Sequence, residues 1–77
     1  MATLATTVGW QSVTLTQNEL WQADGEICFV TTDATQANGR NGMTLKPTEV
    51  LNFNNGDTVY FASRKDCANG IKREPRA

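Results

Sequence analysis

The chain has 77 residues, a net charge of −1, two cysteines and no histidine. This length allows one domain, and so small a domain buries only about 60% of the surface that its unfolded chain exposes. The missing histidine excludes histidine-based catalysis and histidine metal ligands, and the near-neutral charge argues against general nucleic-acid binding. Because the apolar content supports only a thin core, we expect neighbouring molecules to cover part of the surface.

Turn signals and short β-favouring runs alternate along the chain. Five pairs of Asn or Asp followed by Gly mark tight turns, and the runs between them are rich in β-branched and aromatic residues. The fold class predicted from this pattern is all-β, a small antiparallel β-sandwich or barrel of about six to seven short strands. In chain order the predicted strands are Val8–Leu15, Leu20–Ala23, Glu26–Thr32, Met43–Lys46, Glu49–Phe53, Thr58–Ser63 and Gly70–Arg73.

The ends of the chain carry weaker signals than the middle. We predict a flexible or partner-ordered N-terminal arm at residues 1–7, a single β domain over residues 8–73 and a C-terminal tail at residues 74–77. In the first predicted strand the apolar residues change parity, which indicates a bulge or bend near Gln11.

Two predicted strands look central and one loop looks exposed. Residues 26–32 and 58–63 carry apolar side chains on both faces, which is typical of strands covered on both sides. Residues 31–41 are polar and show no period, so they are predicted to form the longest loop and a plausible contact arm.

The charges are unevenly distributed. Residues 1–63 carry two cations against six acids, a net charge of −4, whereas residues 64–77 carry five cations against two acids, a net charge of +3. One interpretation is ordinary solvated charge, and the other is a basic end that orients the chain on an acidic partner. The candidate cationic contacts are Arg40, Arg64, Lys65, Lys72, Arg73 and Arg76.

The residue types needed for catalysis or metal binding do not form a recognisable set. Cys28 and Cys67 are too few for a structural zinc site, and the acids fall mostly at turns and strand ends. We therefore expect no enzyme activity, no cofactor and no metal. Cys28 is expected to be a buried free thiol, and a bridge to Cys67 depends on strand neighbours that the sequence does not show.

The two tryptophans are the largest apolar side chains. With so little apolar material, Trp10 and Trp21 are expected to lie in the core or at an interface, and both are candidate partner contacts. The alternative is an exposed platform that stacks on a sugar ring or a nucleic-acid base.

Nothing in the sequence predicts a membrane protein. No run approaches the ~20 apolar residues of a membrane span. The first seven residues have neither the positive charge nor the apolar stretch of a secretory signal. We expect a chain that is made and used without crossing a membrane.

An ordered series of short motifs covers residues 12–73. It consists of Ser12–Thr16, Ile27–Thr32, Gly42–Pro47, Asn55–Ser63 and a last short strand at Ile71. This order resembles small β-sandwich proteins of tailed bacteriophages, in which a glycine, an apolar–leucine strand, a Gly-Asp turn and an apolar–tyrosine–apolar–Ala-Ser strand recur. The cysteines and the Lys-Arg-Glu-Pro-Arg end depart from that pattern.

The resemblance implies a structural role in a virion that is assembled in the bacterial cytoplasm. The chain would decorate the capsid or form part of a fibre base, as a homo-oligomer whose partners are the major capsid protein or a fibre or collar protein. Two other interpretations stay open. One is a nucleic-acid-binding β-barrel that uses Trp10, Trp21, Tyr60 and Arg64-Lys65, and the other is a carbohydrate-binding module with Trp10 and Trp21 as its platform.

Overall fold

The computed structural model describes residues 2–38 and 41–76 and is nearly all β. The predicted antiparallel all-β class is confirmed, with eight strands where the sequence indicated six to seven. No helix among the described residues is long and apolar enough to cross a membrane. In chain order the elements are β1 (Ala2–Thr6), β2 (Gln11–Thr14), β3 (Glu19–Ala23), β4 (Cys28–Thr31), a 3₁₀ turn (Ala34–Gln36), β5 (Met43–Leu45), β6 (Leu51–Phe53), β7 (Thr58–Ser63) and β8 (Cys67–Pro75).

The strands form two four-stranded antiparallel sheets. Sheet 1 has the order β1-β8-β3-β6, and sheet 2 has the order β2-β7-β4-β5. Short corners join β1 to β2, β3 to β4, β5 to β6 and β7 to β8, and each corner leads from one sheet to the other. The strands of one sheet therefore match those of the other position by position, as in a two-layer sandwich.

The topology is pseudo-symmetric. Each strand of sheet 1 can be replaced by the strand four places later in the chain, with the count continuing from β8 to β1. The order β1-β8-β3-β6 then becomes β5-β4-β7-β2, which is the order of sheet 2 read in reverse. The loops β2–β3 and β6–β7 correspond under this operation, and they meet where Leu15 exchanges two 2.9 Å backbone hydrogen bonds with Gly56 and Asp57. The β1–β2 side and the β5–β6 side of the sandwich are likewise equivalent in topology.

The core lies between the sheets around Trp21. Its indole is fully buried and meets Phe53 and Phe61 edge to face, with ring centroids 5.1 and 5.9 Å apart. Such aromatic pairs contribute about 0.5–1.5 kcal/mol beyond the area they bury. The remaining buried members are Leu15, which directly follows β2, and the inward-facing strand residues Ala23, Cys28, Val30, Leu45, Val59 and Ile71.

The N-terminal segment forms part of the sandwich. Residues 2–6 form β1, which pairs with β8 from Ala2↔Arg73 to Thr6↔Cys67. The Thr6 side chain is buried over Gly70, where an added Cβ would lie within 2.6 Å of Thr6 Cγ2. A side chain at position 70 would clash with Thr6, so the packing of β1 requires glycine there.

The prediction of an arm at residues 1–7 and a tail at residues 74–77 is wrong for residues 2–6 and 74–75. The first group forms β1, and the second lies within β8, which pairs with β3 as far as Glu19↔Pro75. The β1 signal was missed because its inward positions are Leu4 and a threonine, so apolar residues do not alternate.

The first predicted strand is shorter than expected. Residues 8–10 belong to the corner between the sheets, and β2 pairs regularly with β7 from Gln11↔Phe61 to Thr14↔Thr58. The bulge or bend predicted near Gln11 is found as a bend at residues 8–9, where the chain passes from one sheet to the other, and β2 itself has no bulge. The central positions predicted for residues 26–32 and 58–63 are confirmed, because β4 and β7 are the two inner strands of sheet 2.

Candidate docking surface

Sheet 2 differs from sheet 1 in its charge. The four strands β2, β4, β5 and β7 contain no Asp, Glu, Lys or Arg, although the chain has 15 charged residues. Sheet 1 carries Glu19, Lys72, Arg73 and Glu74 within its strands. A solvent-facing sheet usually alternates apolar and polar or charged residues, so a sheet without charge is a candidate contact surface.

Two half-buried aromatic residues lie on the outer surface of sheet 2. Phe29 pairs with Ala62, and Tyr60 pairs with Thr31, on the adjacent central strands β4 and β7. Their neighbours in the chain, such as Val30 and Phe61, face the core, so the two aromatic rings face outward. The outward positions beside them carry hydroxyl groups: Ser12, Thr14, Thr44 and Thr58.

Trp10 joins this surface from the edge. A Cβ added to Gly42 would lie 2.8 Å from Trp10 Cη2 and 2.8 Å from the carbonyl oxygen of Val30. Since Met43 pairs with the inward-facing Val30, residue 42 faces the outer surface. The indole ring therefore lies on the outer surface of sheet 2, in space that Gly42 leaves open.

The aromatic rings of that surface also account for two buried residues on it. Trp10 directly precedes Gln11, which begins the edge strand β2, and its ring reaches Gly42 at the opposite edge. The outward-facing Ala62 and Thr31 of the inner strands are 1% and 7% exposed, as expected for small residues that lie beneath the aromatic rings of this surface. We call the surface formed by Trp10, Phe29 and Tyr60, with the hydroxyl side chains around it, the aromatic face.

The aromatic face has the properties of a recognition surface. It offers planar rings for dispersion contacts and hydroxyl groups that can donate or accept hydrogen bonds. Thr14 and Thr58 are already paired across β2 and β7, with 3.0 Å between their Oγ1 atoms. Covering such a face removes no charge from water, so a partner would dock without the desolvation cost of a buried ion.

Trp21, the other predicted tryptophan contact, is not available to a partner. Its side chain is 0% exposed, so its assignment as a partner contact is wrong and the expected core role is confirmed. Trp21 Nε1 donates a 2.9 Å hydrogen bond to Glu19 Oε1, and the Arg73 guanidinium lies 5.7 Å from the ring centroid. Glu19 and Trp21 face the core together because they are two residues apart on β3.

Glu19 and Arg73 form a bidentate ion pair above the indole. Arg73 Nε and Nη2 donate 2.7 Å hydrogen bonds to Glu19 Oε1 and Oε2. The Glu19 side chain is 4% exposed and that of Arg73 is 20% exposed. Burial would raise the pKa of Glu19, but hydrogen bonds from Arg73 and Trp21 together with the charge of Arg73 hold that pKa below its ordinary value of 4.5.

The other predicted cations are scattered around the molecule, and several already have partners. Lys65 Nζ lies 3.4 Å from Glu26, and Lys72 Nζ lies 3.9 Å from Asp24. Arg76 Nη2 donates to Asn54 Oδ1 at 2.7 Å. Arg64 is exposed and pairs with none of the described residues, and Arg40 lies outside them. The basic end of the sequence is thus largely matched by acids of the same chain.

The loop that follows β4 is organised by local hydrogen bonds. Asp33 caps the 3₁₀ turn and accepts from the Thr35 backbone N–H and hydroxyl at 2.9 and 2.8 Å, contacts that lower the Asp33 pKa. Asn38 and Asn41 continue the network through a 2.8 Å side-chain hydrogen bond. The role of this loop as a contact arm stays a prediction.

Both cysteines are free thiols, as expected for Cys28. Cys28 is buried, and its Sγ lies 3.5 Å from the Gly70 carbonyl oxygen. Burial, followed by the nearby Cys67 thiol, raises the pKa of Cys28 to about 11. A thiol with so high a pKa is protonated at neutral pH and is a poor nucleophile.

Sequence reasoning named Trp10 and did not identify Phe29 as a surface residue. The signal that could have identified the face is the lack of charge in the four strands that make up sheet 2, but strand order was needed to place those strands side by side. In comparisons with known proteins, no family model, curated protein or solved structure matched this chain.

Proposed function

We propose that this chain is a non-enzymatic structural protein that docks in multiple copies on other proteins of a bacteriophage particle. The observation that carries the docking role is the aromatic face, a charge-free outer sheet surface with three half-buried aromatic residues. The particle setting rests on the motif order over residues 12–73. In this proposal the aromatic face contacts the capsid, fibre or collar protein on which the chain sits.

The composition of the face suits this role. The molecule measures 32 by 26 by 18 Å, so a partner would have to cover most of one broad face to bury the ~800 Å² per partner of a stable protein–protein interface. Aromatic side chains contribute most to such interfaces where they are flanked by polar groups. Trp10 and Tyr60 are placed in that way, beside Ser12 and Thr58.

The experiment that tests the proposal is quantitative mass spectrometry of purified particles of the virus that carries the gene. We expect the chain to be present at a fixed ratio to the major capsid protein or to a fibre or collar protein. The control is a particle-free fraction of the same density gradient, which shows how much of the chain is present without particles. Absence of the chain from washed particles would refute the particle role.

A carbohydrate-binding module is the second candidate, because rings beside hydroxyl groups also suit sugars. Its platform would be Trp10 and Tyr60, since Trp21 is in the core. Glycan binding that shifts the Trp10 indole resonance, together with absence of the chain from particles, would favour this candidate. We do not propose the nucleic-acid barrel, because it depended on Trp21 and on Lys65, which pairs with Glu26.

A further inference from the structure

The two sides of the sandwich are equivalent in topology but differ in how their edges are protected. Each side consists of one edge strand from each sheet and the corner that joins them. An edge strand presents unpaired backbone N–H and C=O groups that can pair with another chain, and proteins usually block such edges with charge, proline or short length.

The β5–β6 side has all three of these protections. Its strands have three residues each, and the corner between them contains Pro47, which lacks a backbone N–H. Lys46 and Glu49 form an exposed ion pair of 3.9 Å in the same corner. Gln22 Nε2 donates a 2.6 Å hydrogen bond to the Pro47 carbonyl oxygen, which fixes this corner to β3.

The β1–β2 side has fewer protections: its own segment carries neither charge nor proline, and the one carboxylate near it is that of Asp66, which accepts a 3.4 Å hydrogen bond from the Val8 N–H in the corner. Residues 2–14, which comprise β1, the corner and β2, contain no charged residue and no proline. The strands are longer, with five and four residues. Val8, in the corner, is 62% exposed, the highest value among the exposed large apolar side chains of the described residues.

We propose that the β1–β2 side is the contact between neighbouring copies, with β1 of one copy paired antiparallel to β1 of the next. The unpaired N–H and C=O groups of β1 can all be satisfied only by another extended strand. The β1 strand of a second copy has the same length and the same lack of charge as this edge. A two-fold axis at Leu4 would set Thr3 opposite Ala5 of the second copy. Both are small, uncharged and exposed, so neither side chain opposes the approach, although the pairing of β1 with β8 shifts register between Leu4 and Thr6.

The area available predicts a weak contact. The side consists of two edge strands of five and four residues and one corner, which cover less than the ~800 Å² per partner of a stable interface. Such a contact gains strength when docking holds many copies side by side, because effective concentrations then reach the millimolar range. The inference rests on the multiple-copy arrangement proposed above and does not depend on the aromatic face.

The test compares self-association of three purified proteins by sedimentation velocity up to ~1 mM, the effective concentration of tethered neighbours. Ala5→Lys adds a charge to the outer surface of β1, and Asn52→Lys adds the same charge to the outer surface of β6, the other edge of sheet 1. Because both residues are exposed, both variants are expected to fold, which thermal unfolding verifies.

We expect the wild type and Asn52→Lys to associate with rising concentration and Ala5→Lys to associate at least about tenfold more weakly. In the wild type, the amides of residues 3–6 should gain protection from hydrogen exchange as concentration rises. A wild type that stays monomeric to ~1 mM, or equal association of the two variants, would overturn the inference. Neither result bears on whether the chain is present in particles, so the two proposals fail separately.

Discussion

The two tryptophans show how differently the chain uses its two sheets. Trp21, in sheet 1, is fully buried, and the ion pair Glu19–Arg73 closes over it. Trp10, at the edge of sheet 2, lies on the outer surface of strands without any charge. Charge in sheet 1 completes the fold, whereas its exclusion from sheet 2 leaves a surface that another molecule can cover.

The largest expected effect separates these two roles directly. Trp21→Ala removes the centre of the core and should cost about 3–5 kcal/mol of unfolding free energy, which is most of the stability of a small domain. Trp10→Ala should cost less than half as much, because the indole lies outside the core. Urea unfolding monitored by circular dichroism measures both values, and equal losses would contradict the assignment of Trp10 to the surface.

The ion pair of sheet 1 provides the second effect. Glu19→Gln leaves the mostly buried Arg73 without its counter-charge and should cost about 2–3 kcal/mol, below the value for a fully buried pair because Arg73 is partly exposed. Lys65→Gln, which breaks the exposed pair with Glu26, should cost about 0–1 kcal/mol. Chemical denaturation of the two variants side by side tests the difference, and similar losses would show that the bidentate pair has no special role.

The third-largest expected effect comes from the space beneath Trp10. Gly42→Ala places a methyl group 2.8 Å from both the indole and the Val30 carbonyl oxygen, so one must shift, at a cost of about 1–3 kcal/mol. Gly9→Ala is the control, since its Cβ would meet only Thr7 Oγ1 at 3.9 Å, and its effect should stay within about 0.5 kcal/mol. The Trp10 indole resonance should move in Gly42→Ala alone. If it does not, the ring does not lie over residue 42.

The smallest effect is a pH dependence that belongs to sheet 1. The folded-state pKa of Glu19 is lowered from 4.5, so its contribution to stability is present above pH 4.5 and is lost as the pH falls through the folded-state pKa. The wild type should therefore lose stability on acidification more steeply than Glu19→Gln, which has no carboxyl group at this position. Parallel slopes of unfolding free energy against pH would contradict the lowered pKa.

Local patterns predicted the elements whose two faces differ clearly in polarity. The strand Thr58–Ser63 was predicted with the bounds of β7, because Val59 and Phe61 alternate with Tyr60 between turn residues. β1 was missed because a threonine takes one of its inward positions, which depends on the space over Gly70 in a distant strand. Local patterns carry no information on such tertiary complementarity.

The candidate surface was less predictable than the fold. The acids Glu19 and Asp24 look like ordinary strand-end and turn residues in the sequence, and only the pairing of β3 with β8 brings them to Arg73 and Lys72. The apparent basic end was therefore interpreted as available charge. The aromatic face likewise depends on strands β4 and β7 being neighbours, a non-local property that no spacing along the chain reveals.

The most direct test of the aromatic face is the retention of two matched variants on washed particles. Tyr60→Lys adds a charge to the centre of the outer surface of sheet 2, and Gln22→Lys adds the same charge to the half-buried outer surface of sheet 1. With both variants folded, we predict that Gln22→Lys stays on the particle at the wild-type ratio and that Tyr60→Lys is lost. Equal retention of Tyr60→Lys and the wild type would contradict docking through the aromatic face.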